Sequence, residues 1–83
     1  MQILYFAWVR EKIGKGEEVR DLPEHVLNVA QFLDWLADQG PQYAEALAAR
    51  DKLRIAVDQD HAGLDASITN AREIAIFPPV TGG

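Results

Sequence analysis

Asn28-Val-Ala-Gln-Phe-Leu-Asp-Trp-Leu-Ala-Asp-Gln-Gly-Pro41 is the stretch on which the fold turns. Val29, Phe32, Leu33, Leu36 and Ala37 recur at i, i+3, i+4, i+7 and i+8, which lines one face of an α-helix and leaves Asp34 and Asp38 off it. The ends carry their own signals. Asn28 has the short acceptor side chain of an N-cap, with Gln31 three residues on as a variant of the capping box. Gly40 and Pro41 are expected to supply a left-handed exit and a stop. Beyond them, Gln42 to Ala49 reads as a shorter, peripheral second helix in which Tyr43 and Leu47 share a face.

Strands flank the helix on both sides. Gln2 to Val9 is rich in β-branched and aromatic residues and reads as a strand; Gly14-Lys15-Gly16 marks a turn, and Glu17 to Leu22 returns until Pro23 ends it. Downstream, Leu53, Ile55 and Val57 alternate with Arg54 and Ala56, and that strand stops at Asp58-Gln59-Asp60. Residues 62 to 68 read as irregular. Glu73 to Phe77 is the last strand, halted by Pro78-Pro79. The order strand, strand, helix, strand, strand describes an α+β domain, with one main helix across one face of a sheet and a short second helix. Residues 1–77 form the domain and residues 78–83 a flexible tail.

Period-two arithmetic places Ile3, Tyr5, Ile55, Val57, Ile74 and Ile76 beneath the helix. Leu4, Phe6, Trp8, Ala75 and Phe77 then fall on the opposite face, an apolar patch that points to a partner protein. The plainer alternatives are central strands apolar on both faces, or cover from the second helix.

Eighty-three residues suffice for one domain with a single core, without the bulk to wall in a deep pocket. Catalysis, if any, calls for a second protein. Thirteen acidic and eight basic residues give a net charge of −5, the wrong sign for gripping nucleic acid or anionic lipid. Without cysteine the chain can form neither a disulfide nor a thiolate metal site. No apolar run approaches the roughly 20 residues that span a bilayer, so a cytoplasmic location is the default expectation.

Conventional catalytic groups are sparse. His25, His61 and Ser67 sit in no nucleophile elbow, and the two histidines follow no metal-ligand spacing. Asp58, Asp60 and Asp65 lack the glycine and final glutamate of a calcium loop and read as a solvated acidic loop. Gly14-Lys15-Gly16 does not have phosphate-loop spacing. The ending Phe77-Pro-Pro-Val-Thr-Gly-Gly83 is different in kind. Gly82 and Gly83, lacking Cβ atoms, can thread a tunnel closed to other residues, while Pro78 and Pro79 stiffen the exit from the sheet. Six residues at about 3.1 to 3.3 Å each reach roughly 20 Å, enough to carry a carboxylate deep into another protein. Adenylation would make that carboxylate electrophilic. Attack by a sulfur donor would then leave a thiocarboxylate, a soft nucleophile that needs no cysteine.

The run Ile3-Leu-Tyr-Phe-Ala7 with Val9-Arg-Glu11, then Val29 to Leu36, Leu53 to Gln59 and Glu73 to Gly83, resembles the small subunit of molybdopterin synthase, the MoaD family. The likeness spans essentially the whole chain, and the Phe-Pro-Pro-Val-Thr-Gly-Gly ending is its most specific part. It implies a β-grasp, ubiquitin-like fold and a sulfur carrier whose Gly83 is adenylated by a MoeB-type enzyme that consumes ATP, then thiocarboxylated. It further implies insertion of the tail into a large MoaE-type subunit that holds a cyclic pterin. The chain itself is then a sulfur-donating subunit that binds no cofactor or metal. On this likeness Gly83 carries the sulfur, Gly82 and Thr81 thread the tunnel, and Phe6, Phe77, Pro78, Pro79 and Val80 meet the partner. Two positions depart from the family pattern: Asn70-Ala71-Arg72 stands where Asp-Gly-Asp is common, and His61 where an apolar contact residue is usual. The competing readings are a sulfur carrier for thiamin synthesis, a ubiquitin-like modifier joined to lysines through Gly83, and a plain interaction domain.

Overall fold

The structure, a computed structural model, describes residues 1–79. Its strands are β1 (Gln2–Tyr5), β2 (Glu17–Val19), β3 (Arg54–Val57), β4 (Asp60–Ala62) and β5 (Glu73–Phe77), and its helices α1 (Ala7–Ile13), α2 (Val29–Ala37) and α3 (Pro41–Ala46), with a 3-10 turn at Arg50–Lys52. They build one mixed sheet in the order β2-β1-β5-β3-β4. β1 and β5 run parallel at its centre, with Ile3 opposite Ile74 and Tyr5 opposite Ile76, and the remaining pairs are antiparallel. Helices over one face of a mixed sheet make the α+β domain that the element order predicts, in the β-grasp arrangement that the resemblance implies.

α2 forms where its periodicity places it. The Asn28 side chain accepts from the Gln31 N–H at 2.8 Å, and the Gln31 side chain reaches back to the Leu27 N–H at 2.8 Å. Val29, Phe32, Leu33 and Leu36 are buried against Ile3, Tyr5, Ile55, Ile74 and Ile76. Each such side chain contributes roughly 1.5–3 kcal/mol of transfer free energy, so this seam holds helix and sheet together.

Four expectations need correction. The first strand ends at Tyr5, not Val9, because Ala7 takes a left-handed conformation (φ 53°) that turns the chain into α1. Val9 and Ile13, an i,i+4 pair, are buried beneath that helix, and Gly14 closes it at φ 92°. Trp8 therefore rides on a helix. At the other end of α2, Asp38 is the C-cap; Gly40 is extended and caps α3, where Pro41 opens the helix instead of stopping the chain. α3 is not peripheral: Tyr43, Ala46 and Leu47 are buried. Finally, Asp58 and Gln59 both have positive φ (49° and 73°), the geometry of a tight hairpin, so the chain returns as β4.

Candidate functional site

The left-handed turn at Ala7 also decides where Phe6 goes. Its N–H continues the parallel ladder by donating to the Ile76 carbonyl at 3.2 Å, while the ring stands outward, 48% exposed. It meets Phe77 edge to face, with centroids 6.5 Å apart and planes at 85°. Phe77 in turn receives His61 at 5.8 Å and 67°. This aromatic row lies on the sheet face turned away from α2.

Strand register supplies the floor. Ala75 pairs with Leu4 on one side and Ala56 on the other, and such small residues leave a shallow apolar trough. Phe6, Trp8, Ala75, Phe77, Pro78 and Pro79 line an open concavity of about 1000 Å³, with Asp51, Lys52 and Arg54 beside them. Four of the predicted contact residues, Phe6, Phe77, Pro78 and Pro79, thus border one surface. Val80, Thr81, Gly82 and Gly83 lie outside the described residues. β5 ends at Phe77, so the prolines leave directly from this apolar face.

The polar centre of the described residues lies elsewhere. Glu18 of β2 has a side chain only 10% exposed and accepts from the Tyr5 hydroxyl at 2.6 Å, the Tyr43 hydroxyl at 2.7 Å and Arg20 Nε at 2.8 Å. Arg20 also donates to Gln39 at 3.1 Å and stacks on Trp35 and Tyr43. Burial works against the Glu18 charge, yet the hydrogen bonds from Tyr5, Arg20 and Tyr43 outweigh it and hold the carboxyl at about 2. Burial first, and the Glu18 carboxylate second, push the Tyr5 hydroxyl upward. This cluster fastens β2 to α3. Sequence reasoning missed it because its members are scattered from position 5 to position 43.

The remaining polar candidates have structural duties or stand apart. Asp58 accepts from the backbone N–H groups of Arg72 and Glu73 at 2.9 and 3.0 Å, tying one hairpin to the entry of β5. Asn70, in the divergent turn, adopts φ 65°, which asparagine tolerates better than most residues. Ser67 Oγ accepts from the Thr69 N–H, and His25 is exposed in the segment before α2. Among the described residues no hydrogen bond joins either histidine to Ser67, and no helix is long and apolar enough to cross a membrane.

The ThiS family model matches residues 3–83. Aligned over 83 residues, the chain is 36% identical to the molybdopterin synthase sulfur carrier subunit of Haemophilus influenzae, covering 100% of this chain and 99% of that one. It is 38% identical over 85 residues to the protein of that name in Escherichia coli, with the same coverages of 100% and 99%. Among solved structures, SAMP1 from Haloferax volcanii matches with a TM-score of 0.76 at 28% identity, covering 100% and 98% of the two chains. A putative molybdopterin converting factor subunit 1 from Pyrococcus furiosus matches with a TM-score of 0.74 at 24% identity, over 95% of each chain, a likeness of fold alone.

Proposed function

The chain belongs to the ThiS family, and on that premise we propose that it is the sulfur carrier subunit of molybdopterin synthase, delivering sulfur from a thiocarboxylate on Gly83. The observation that carries this reading is the root of the tail: Phe77 stands on the uncovered apolar face, beside Phe6, and hands the chain directly to Pro78 and Pro79. A surface so apolar fits a protein partner, and its position lets docking and insertion of the tail happen together.

In this mechanism the Gly83 carboxylate attacks the α-phosphorus of ATP in a MoeB-type enzyme, forming an acyl adenylate and releasing pyrophosphate. A sulfur nucleophile then displaces AMP, and the thiocarboxylate forms. Phe6, Phe77, Pro78, Pro79 and Val80 seat the domain on a large MoaE-type subunit, while Thr81 and Gly82 thread toward the cyclic pterin. There the sulfur attacks a carbon of the cyclic pterin and an oxygen substituent leaves that carbon; water then cleaves the resulting thioester at its acyl carbon, which returns the Gly83 carboxylate and leaves the sulfur on the pterin as a thiol. The globular domain positions the arm and binds no cofactor or metal of its own, and no nucleic acid or membrane is needed; the reaction belongs in the cytoplasm. A carrier for thiamin synthesis ranks behind, since the full-length relatives share the molybdopterin synthase name.

Intact-mass measurement tests the proposal, with the chain incubated alongside its activating enzyme, ATP and a sulfur donor. A gain equal to one sulfur for one oxygen, lost again on adding the large subunit and the cyclic pterin, is the expected result. Mass unchanged under all conditions overturns it, and conjugates on other proteins would indicate a modifier instead.

A further inference from the structure

The open sheet face is charged unevenly along its length. Arg54 stands opposite Phe77 in the β3/β5 register, at the root of the tail, and Lys52 in the preceding 3-10 turn borders the same concavity. Both are exposed, and among the described residues neither forms an ion pair; the four ion pairs there use Lys12, Lys15, Arg20 and Arg50. Asp51 is the acidic residue on that border, so cations prevail locally in a chain whose net charge is −5. At the opposite end of the same face the sign reverses. Glu73 begins β5 opposite Gln2, and Glu17 of β2, whose backbone pairs midway along the face with Leu4, turns its carboxylate toward that end by accepting from the Gln2 amide at 2.9 Å. Four residues of strand at about 3.3 Å each separate Glu73 from Phe77, roughly 13 Å. That exceeds the screening length of about 10 Å at 0.1 M salt, so the two ends act as separate charges toward a partner.

We infer that Lys52 and Arg54 set the orientation in which the partner docks, by meeting carboxylates placed beside the opening that receives the tail. The inference rests on the reading that this face docks on the large subunit. An apolar trough alone leaves the docking orientation weakly specified, because hydrophobic contact has no direction. A tail some 20 Å long reaches a buried site only when its root sits over the entrance. Cations at the root favour that orientation; turning the domain end for end brings Glu17 and Glu73 against the same carboxylates and is repelled. Charges at the rim of an interface act mainly on the association rate and its salt dependence.

Stopped-flow association with the large subunit of molybdopterin synthase, at low and high salt, tests this. Lys52→Glu with Arg54→Glu is expected to slow association about tenfold at low salt while changing dissociation less than about twofold, and to flatten or reverse the salt dependence. The neutral pair Lys52→Gln with Arg54→Gln should fall between, which guards against a folding defect in the charge-reversed protein. Lys12→Glu with Arg50→Glu, whose ion-pair partners Glu45 and Asp34 lie on α3 and α2 over the covered face, makes the same change in net charge away from the open face and should slow association much less. Equal slowing by the two charge-reversed pairs overturns the inference, since net charge would then suffice. If Phe77→Asp abolishes binding while the Lys52 and Arg54 variants bind normally, the basic root falls and the docking face stands. Normal binding by Phe77→Asp removes the face and the inference together.

Discussion

The two faces of one sheet carry comparable apolar side chains and meet opposite fates. On the first, Ile3, Tyr5, Ile55, Ile74 and Ile76 are sealed by α2 and α3. On the second, among the described residues, Leu4 and Phe77 stay partly exposed and Phe6 about half exposed, while Ala75 is buried in the floor of the trough. A residue of one face is followed in the strand by a residue of the other, so the difference lies not in local composition but in where the rest of the chain goes. The covered face holds the fold together; the uncovered face has apolar area to spend on a partner.

Substitutions that act on one face and spare the other would break that contrast if it were wrong. The largest expected effect lies beyond both: Gly83→Ala, or one residue added after Gly83, should abolish sulfur transfer in a reconstituted assay while leaving the melting temperature unchanged. Next, Phe32→Ala opens a cavity in the sealed core and should cost about 3–5 kcal/mol in denaturant unfolding. Phe77→Asp should instead weaken binding of the large subunit by at least about 2 kcal/mol, roughly thirtyfold by titration, with little loss of stability. An affinity left unaltered would remove the docking role of the open face.

The covered side can be sharpened further through Glu18. Its carboxyl is held at about 2 in the fold against 4.5 in the free side chain. As pH falls, the unfolded chain therefore takes up this proton first. The stabilisation, on the order of 3 kcal/mol by linkage, is present above about pH 5 and is lost as the pH drops toward 2. Glu18→Gln should be destabilised by about that amount at neutral pH, and its deficit should shrink across the same window in acid unfolding curves. The smallest effect is expected at Ala7, whose left-handed φ costs an L-residue about 1 kcal/mol. Ala7→Gly should recover up to that much in thermal unfolding, offset in part by the greater freedom of glycine in the unfolded chain.

How much was legible varies by element for identifiable reasons. The start and the apolar face of α2 follow from the sequence, since five apolar positions at helical spacing and an Asn28 cap point to one answer, whereas its end lies at Asp38 and not at Gly40. β5 was equally plain, an apolar run bounded by prolines. α1 was missed because Trp8 and Val9 favour strands locally; the available signal was the i,i+4 pair Val9 and Ile13 followed by Gly14. β4 was missed because Asp58-Gln59 is a poor match to the Asn-Gly hairpin signature, although it adopts hairpin geometry. At the candidate site, Phe6 and Phe77 could be assigned to one face by counting, whereas their contact with each other and with His61 required the sheet order.

By itself the sequence determined which residues are apolar and at what period, where α2 begins, and that two prolines and then two glycines follow the last strand. Those are properties of neighbours along the chain, governed by side-chain chemistry and backbone preference. Tertiary structure alone decided that Tyr5, Glu18, Arg20 and Tyr43 converge, that α3 seals the core, and that Lys52 and Arg54 stand where the tail leaves the sheet. Such pairings join positions far apart in the chain, and their energies exist only once the sheet order has brought those positions within a few ångströms of one another.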